Sequence, residues 1–177
     1  QAYGRNIYGQ SVLLAKRFVE AGARVVTISW APDANATWDT HSGNFKKLKA
    51  SLLPQFDAAC ATLLGDLHLR GLLDRTLVAV LGDFGRTPKI NGNDAGRDHW
   101  NFCYSVMLAG GGIKPGYVFG ASDKMGAFPA DRPTGPGDII ATIYHQLGID
   151  HRQQLYDRFA RPHRIVPRGD VRPEILL

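Results

Sequence analysis

The chain has 177 residues, 44% hydrophobic and 21% charged, which is enough for one domain with its own core and ordinary for a globular protein. No run approaches the roughly 20 apolar residues of a membrane-spanning helix, and Gln1 to Arg5 show no signal-peptide pattern. The net charge of +5 comes from scattered side chains and a basic cluster over 152–172; with no aromatic-and-basic stripe, it reads as solvated surface and not as a nucleic-acid-binding face.

Residues 7–21 have helical periodicity, and Gly22 is placed to end that helix. The β-branched run 24–30 predicts a strand. A polar loop over 31–44 contains Trp38, Asp39, Thr40 and His41. A long helical region follows, split or reopened at Pro54, with Leu53, Phe56, Cys60, Leu63, Leu64 and Leu67 as its apolar stripe and Gly71 at its end. The apolar run 76–81 predicts a strand covered on both faces, as in a parallel sheet.

A further strand is expected over 102–108, closed by a turn at Gly110, Gly111 and Gly112. Residues 114–131 read as turns with a short hairpin around Tyr117, Val118 and Phe119. A helix is expected over 138–147, with Gly137 or Asp138 as N-cap and Gly148 as its stop. The charged tail from His151 onward wraps the surface. Alternating helices and strands without a linker predict one α/β domain over residues 1–177, or part of one. Cys60 and Cys103 have no metal-ligand spacing and read as buried thiols, with a disulfide between them left open.

Three polar clusters are expected just beyond strands, where sites gather in parallel sheets. Asp83 ends an apolar run, where a carboxylate needs a metal or an arginine as partner, and Arg86 is the local cation. Asp98 and His99 form an adjacent donor pair; alternatively Asp98 orients His99 from behind. Asp39 and His41 stand two apart, so in an extended segment they point to the same side. Together Asp39, His41, Asp83 and His99 make a coherent set of divalent-cation ligands, with Arg86 or Arg97 aimed at an anionic group. Each cluster also has a plainer reading as a structural ion pair, a hydrogen-bonded histidine or a turn. His68, His145, His151 and His163 read as structural or surface residues, and Ser122 lacks a nucleophile signature.

Four phrases carry a family resemblance: Trp38-Asp39-Thr40-His41, the segment from Gly82-Asp83-Phe84-Gly85-Arg86-Thr87-Pro88 to Asn91, Gly96-Arg97-Asp98-His99-Trp100, and Gly110-Gly111-Gly112-Ile113. Together they resemble the bacterial family called domain of unknown function 1501, which looks like a branch of the alkaline-phosphatase/sulfatase superfamily. The resemblance implies a three-layer α/β/α sandwich with a mainly parallel sheet, incomplete at its N-terminus. It implies a metal-dependent hydrolase of phosphate or sulfate esters, with Asp39, His41, Asp83 and His99 as ligands to zinc, calcium, magnesium or manganese. Arg86 and Arg97 would face an anionic small-molecule ester. The superfamily's nucleophile lies in an N-terminal half that would partner this chain, and Phe84 stands where a His often follows the Asp. An exported or periplasmic location is implied as well. The alternative expectation is a non-catalytic structural or binding module of the same fold.

Overall fold

A computed structural model describes residues 2–30 and 38–177. In chain order its elements are helix α1 (Ile7–Glu20), helix α2 (Asn44–Lys47), a π-helical turn (Leu48–Leu52), helix α3 (Leu53–Leu69), strands β1 (Val78–Val80), β2 (Gly85–Arg86), β3 (His99–Trp100), β4 (Met107–Ala109), β5 (Ala121–Ser122) and β6 (Pro129–Asp131), helix α4 (Pro136–Gln146), and strands β7 (Gln154–Tyr156) and β8 (Pro162–Arg164). Short 3-10 turns occupy Leu73–Arg75 and Pro173–Ile175. None of the described helices is long and apolar enough to cross a membrane.

The chain divides into two compact units, Gln1–Leu72 with Phe84–Tyr104 and Leu73–Asp83 with Ser105–Leu177.

In the first unit, α1 packs on α3 around Tyr3, Val12 and Ala59, with Leu13, Ile28, Trp30 and Leu63 against them. Asn6 caps α1 by accepting the Gly9 N–H at 2.9 Å. Tyr8 stacks on Trp30 with ring centroids 4.8 Å apart. Lys16 is buried, and its charge is met by Asp66 at 3.3 Å and Glu20 at 3.4 Å. Pro54 sits in the first turn of α3, directly after the π-helical turn, so it opens the helix as the sequence suggests. Gly22 and Gly71 close α1 and α3 in the same way: the residue after each glycine donates back to the helix, Ala23 to the Phe18 carbonyl at 2.9 Å and Leu72 to the Leu67 carbonyl at 2.8 Å.

The second unit pairs β1 with β4, β5 with β6 and β7 with β8. Helix α4 begins at Pro136, and its cap is Gly135, not Gly137 or Asp138. Asp138 acts from the third helical position, accepting the Gly135 N–H at 2.9 Å. The same carboxylate accepts the Asp170 N–H at 2.8 Å and an Arg172 N–H at 2.5 Å. Burial works most strongly against ionisation of Asp138, but Asp170, Arg172 and the Gly135 N–H together hold it below the usual carboxylate range. Gly148 stops α4, with Ile149 donating to the Tyr144 carbonyl at 2.9 Å.

The expected three-layer sandwich with a mainly parallel sheet is not what the chain forms. Among the described residues the sheets are two-stranded and antiparallel, β1 with β4, β2 with β3, β5 with β6 and β7 with β8. Parallel neighbours need a long crossover, usually a helix. Residues 82–104, between the two runs expected to be parallel strands, contain no helix, and β4 returns antiparallel to β1 with Val78 opposite Ala109. An apolar run reports burial on two faces, not strand direction.

The predicted strand 24–30 has no paired partner among the described residues. Its alternation has another origin: Val26, Ile28 and Trp30 are half-buried while the residues between them are exposed. The predicted strand 102–108 is confined to Met107–Ala109, and the hairpin placed around Tyr117 to Phe119 is formed by β5 and β6 instead. The glycine turn falls as expected, and Gly111 is required there because a Cβ would lie 2.8 Å from that of Leu77. Cys60 and Cys103 are both free and half-buried, and burial, with Asp57 adding to it, pushes the Cys60 thiol up. Of the predicted loop over 31–44, residues 31–37 lie outside the described residues.

Candidate metal centre

The site is assembled in the first unit from two segments distant in sequence. One is the stretch 38–43 leading into α2. The other is the β2–β3 ribbon, where Gly85 faces Trp100 and Arg86 faces His99. Thr40 is fully buried and hydrogen-bonds Asn44 through its side chain. With Thr40 turned inward, its neighbours Asp39 and His41 turn outward on the same side, the period-two consequence expected from their spacing. The Arg97 N–H donates to the Thr40 carbonyl at 3.1 Å, and the Gly43 N–H donates to the Asp94 carbonyl at 2.9 Å. These bonds fix the first segment against the ribbon. Gly96 permits the contact: a Cβ there would lie 1.8 Å from the His41 carbonyl oxygen.

Three ligand-type atoms meet as a result. His99 Nε2 is 3.0 Å from Asp39 Oδ1, His41 Nε2 is 3.2 Å from the same oxygen, and the two Nε2 atoms are 3.1 Å apart. Asp39, His41 and His99 are the group among the described residues whose side chains are gathered closely enough to share one ion. Atoms bound about 2.0–2.1 Å from one zinc-sized ion stand roughly 3 Å apart, so this triangle fits a single divalent cation. Asp39 and His99 are exposed and His41 is half-buried, so the cluster is open to solvent.

The surroundings hold the carboxylates of the cluster ionised. Asp39 accepts from Arg86 Nη2 at 2.5 Å. That bond, followed by the one from His99, holds its carboxyl below the usual range. Asp98 takes His41 Nδ1 at 2.7 Å, and Asn91 donates to the same oxygen at 3.0 Å. His41 first, then Asn91, lowers the Asp98 carboxyl too. The Phe84 ring lies against the His99 ring with centroids 4.3 Å apart. Trp38 packs edge-on against Phe56 at 6.2 Å.

Of the residues singled out from sequence, Asp39, His41 and His99 are brought together. Asp83 lies in the second unit, exposed at a bend after β1. Arg86 donates to the carbonyls of Arg97 and Trp38, both at 3.2 Å, as well as to Asp39. Arg97 donates to the carbonyls of Thr87 at 2.6 Å and Arg86 at 3.1 Å. Each arginine thus braces the backbone that carries the other. The idea that sites gather beyond parallel strands does not explain the convergence: His99 lies within β3, and the ribbon is antiparallel. Asp98 orients His41, from the opposite segment, not its neighbour His99. Nothing in its local sequence marks Asn91 as a site residue, although it stands in the family phrase that begins at Gly82.

The family model for "Protein of unknown function (DUF1501)" matches residues 1–176. The chain belongs to the DUF1501 family. Neither a curated protein nor a solved structure matches it. The family phrases now have a physical content in this chain: Trp38 to His41 and Gly96 to Trp100 are the two sides of the Asp39–His41–His99 cluster.

Proposed function

We propose that Asp39, His41 and His99 hold one divalent cation and that this centre serves hydrolysis of phosphate or sulfate esters, chemistry of the alkaline-phosphatase/sulfatase kind. The observation that carries the reading is the convergence of Asp39, His41 and His99 on one point, with Asp98 behind His41. Asp98 accepts from His41 Nδ1 at 2.7 Å, so that nitrogen carries a proton and Nε2 is the atom turned toward the cluster. His41 Nε2 lies 3.2 Å from the Asp39 carboxylate oxygen. A divalent cation among Asp39 Oδ1, His41 Nε2 and His99 Nε2 would be held by all three. Two imidazoles and one carboxylate favour zinc over calcium, magnesium and manganese, which prefer oxygen-rich sites.

A bound divalent cation supplies Lewis acidity, polarising an ester oxygen and offsetting charge that develops on it. The protein's own part is positional. Asp98 fixes one imidazole and Phe84 packs the other. Arg86 holds the Asp39 carboxylate ionised and places a guanidinium at the edge of the cluster, suited to an anionic ester. The test is metal analysis of the purified protein together with turnover of p-nitrophenyl phosphate and p-nitrophenyl sulfate, with and without chelator. Chelator-sensitive turnover that His99→Ala abolishes supports the reading; turnover indifferent to both contradicts it.

One observation favours a second reading, a non-catalytic module: Arg86 already neutralises Asp39. That reading predicts a melting temperature unchanged by zinc or chelator, because a ligand that binds only the native state must stabilise it.

A further inference from the structure

Resting on the reading of Asp39, His41 and His99 as a metal site, we propose that Asp98 and Asn91 are positioning residues that lock His41 in the tautomer and orientation needed to bind the cation. Neither residue belongs to the ligand triangle. Asp98 sits on the far side of the His41 ring, at Nδ1. A carboxylate only accepts, so Nδ1 carries a proton, and in the neutral form of the ring it is Nε2 that presents its lone pair to Asp39 and His99.

Asn91 holds both ends of this arrangement with one amide. Its Nδ2 donates to Asp98 Oδ1 at 3.0 Å and to the His41 backbone carbonyl at 3.1 Å. The orientation of that amide is settled by its other atom, since Oδ1 accepts the Asn93 N–H at 2.9 Å. The Asn91 N–H donates to the Gly96 carbonyl at 2.9 Å, closing the turn that carries it. Asp98 is held in turn by Thr87, whose Oγ1 accepts the Asp98 N–H at 3.1 Å and whose N–H donates to the Asp98 carbonyl at 2.9 Å. The ring, its carboxylate and the amide behind both are therefore one unit built on the ribbon. Such carboxylate–imidazole support of a ligand is worth about 10- to 100-fold in metal affinity.

The test uses long-range ¹H–¹⁵N correlation spectra of the metal-free protein at about pH 8, where imidazoles are ordinarily neutral, and a zinc titration of the same samples. Native His41 should carry its proton on Nδ1. Asp98→Ala should shift it toward Nε2 and weaken zinc binding about 10- to 100-fold. Asp98→Asn, which keeps an oxygen acceptor, should retain the native tautomer, and Asn91→Ala should fall between. A native His41 protonated on Nε2 overturns the proposal without recourse to any variant. So does an Asp98→Ala protein with native tautomer and native zinc affinity. If native His41 carries Nδ1–H but the native protein binds no zinc, the metal reading falls while the role of Asp98 in setting the tautomer is supported.

Discussion

The backbone N–H of Arg97 donates to the carbonyl of Thr40 at 3.1 Å, and this bond joins two segments more than fifty residues apart in sequence into one site. On one side of it stand Asp39 and His41; on the other stand Asp98 and His99. The side chains of the two sides then interlock in pairs, His41 with Asp98 and Asp39 with His99.

That junction depends on a residue with no side chain. A methyl group at position 96 would sit 1.8 Å from the His41 carbonyl oxygen, which is backbone and cannot swing away. Gly96→Ala should therefore displace the His41 segment, costing about 1–3 kcal/mol in urea unfolding and most of the zinc affinity. Native stability together with native zinc binding in this variant would show that the junction is not needed.

Zinc affinity should fall as pH is lowered from neutral. Arg86 and His99 hold Asp39 below the usual carboxylate range, and His41 and Asn91 do the same for Asp98. Both carboxylates stay ionised through mild acid, and metal binding through histidine is pH-dependent in general because the ligand nitrogen must be deprotonated. Isothermal titration with zinc at several pH values should show binding weaken while Asp39 is still charged. The carboxylate contributions to folding have their own window. A depressed folded-state pKa stabilises above the unfolded value of about 3.9 and is lost as pH falls through the depressed value. Acid unfolding should accordingly set in below about pH 4.

In the second unit, Asp138→Ala should be among the most damaging substitutions. It removes the acceptor for two backbone N–H groups and leaves the Arg172 guanidinium, itself largely buried, without its carboxylate. A loss of about 2–4 kcal/mol is expected from chemical denaturation. Asp138→Asn, which keeps one acceptor oxygen, should lose less. Equal stability of Asp138→Ala and the native protein would contradict the network described.

The helices were legible in the sequence because their stops are local. Gly22, Gly71 and Gly148 each end a helix through a backbone bond closed within a few residues. Strand direction was not legible, because an apolar run such as 76–81 says nothing about what returns beside it. The start of α4 was misplaced for a related reason. Asp138 looked like a cap, but it caps from inside the helix, reaching back to Gly135.

Within the site, the spacing of Asp39 and His41 allowed their convergence in an extended segment but equally allowed a plain turn; the buried Thr40 between them sets the alternation. The approach of His99 was expected from the parallel-sheet argument, which does not apply. It arises instead from an antiparallel ribbon of two residues on each side, Gly85–Arg86 with His99–Trp100. Asn91 escaped notice because its role is to bridge a backbone carbonyl and a distant carboxylate, and neither partner is visible from its neighbours in sequence.

The central claim is that Asp39, His41 and His99 bind one divalent cation, and calorimetric zinc titration of the native protein beside His41→Ala and His99→Ala tests it most directly. The account predicts one zinc per chain for the native protein and at least tenfold weaker binding in each variant. Native protein that takes up no zinc, or variants that bind it as tightly as the native protein does, would contradict it.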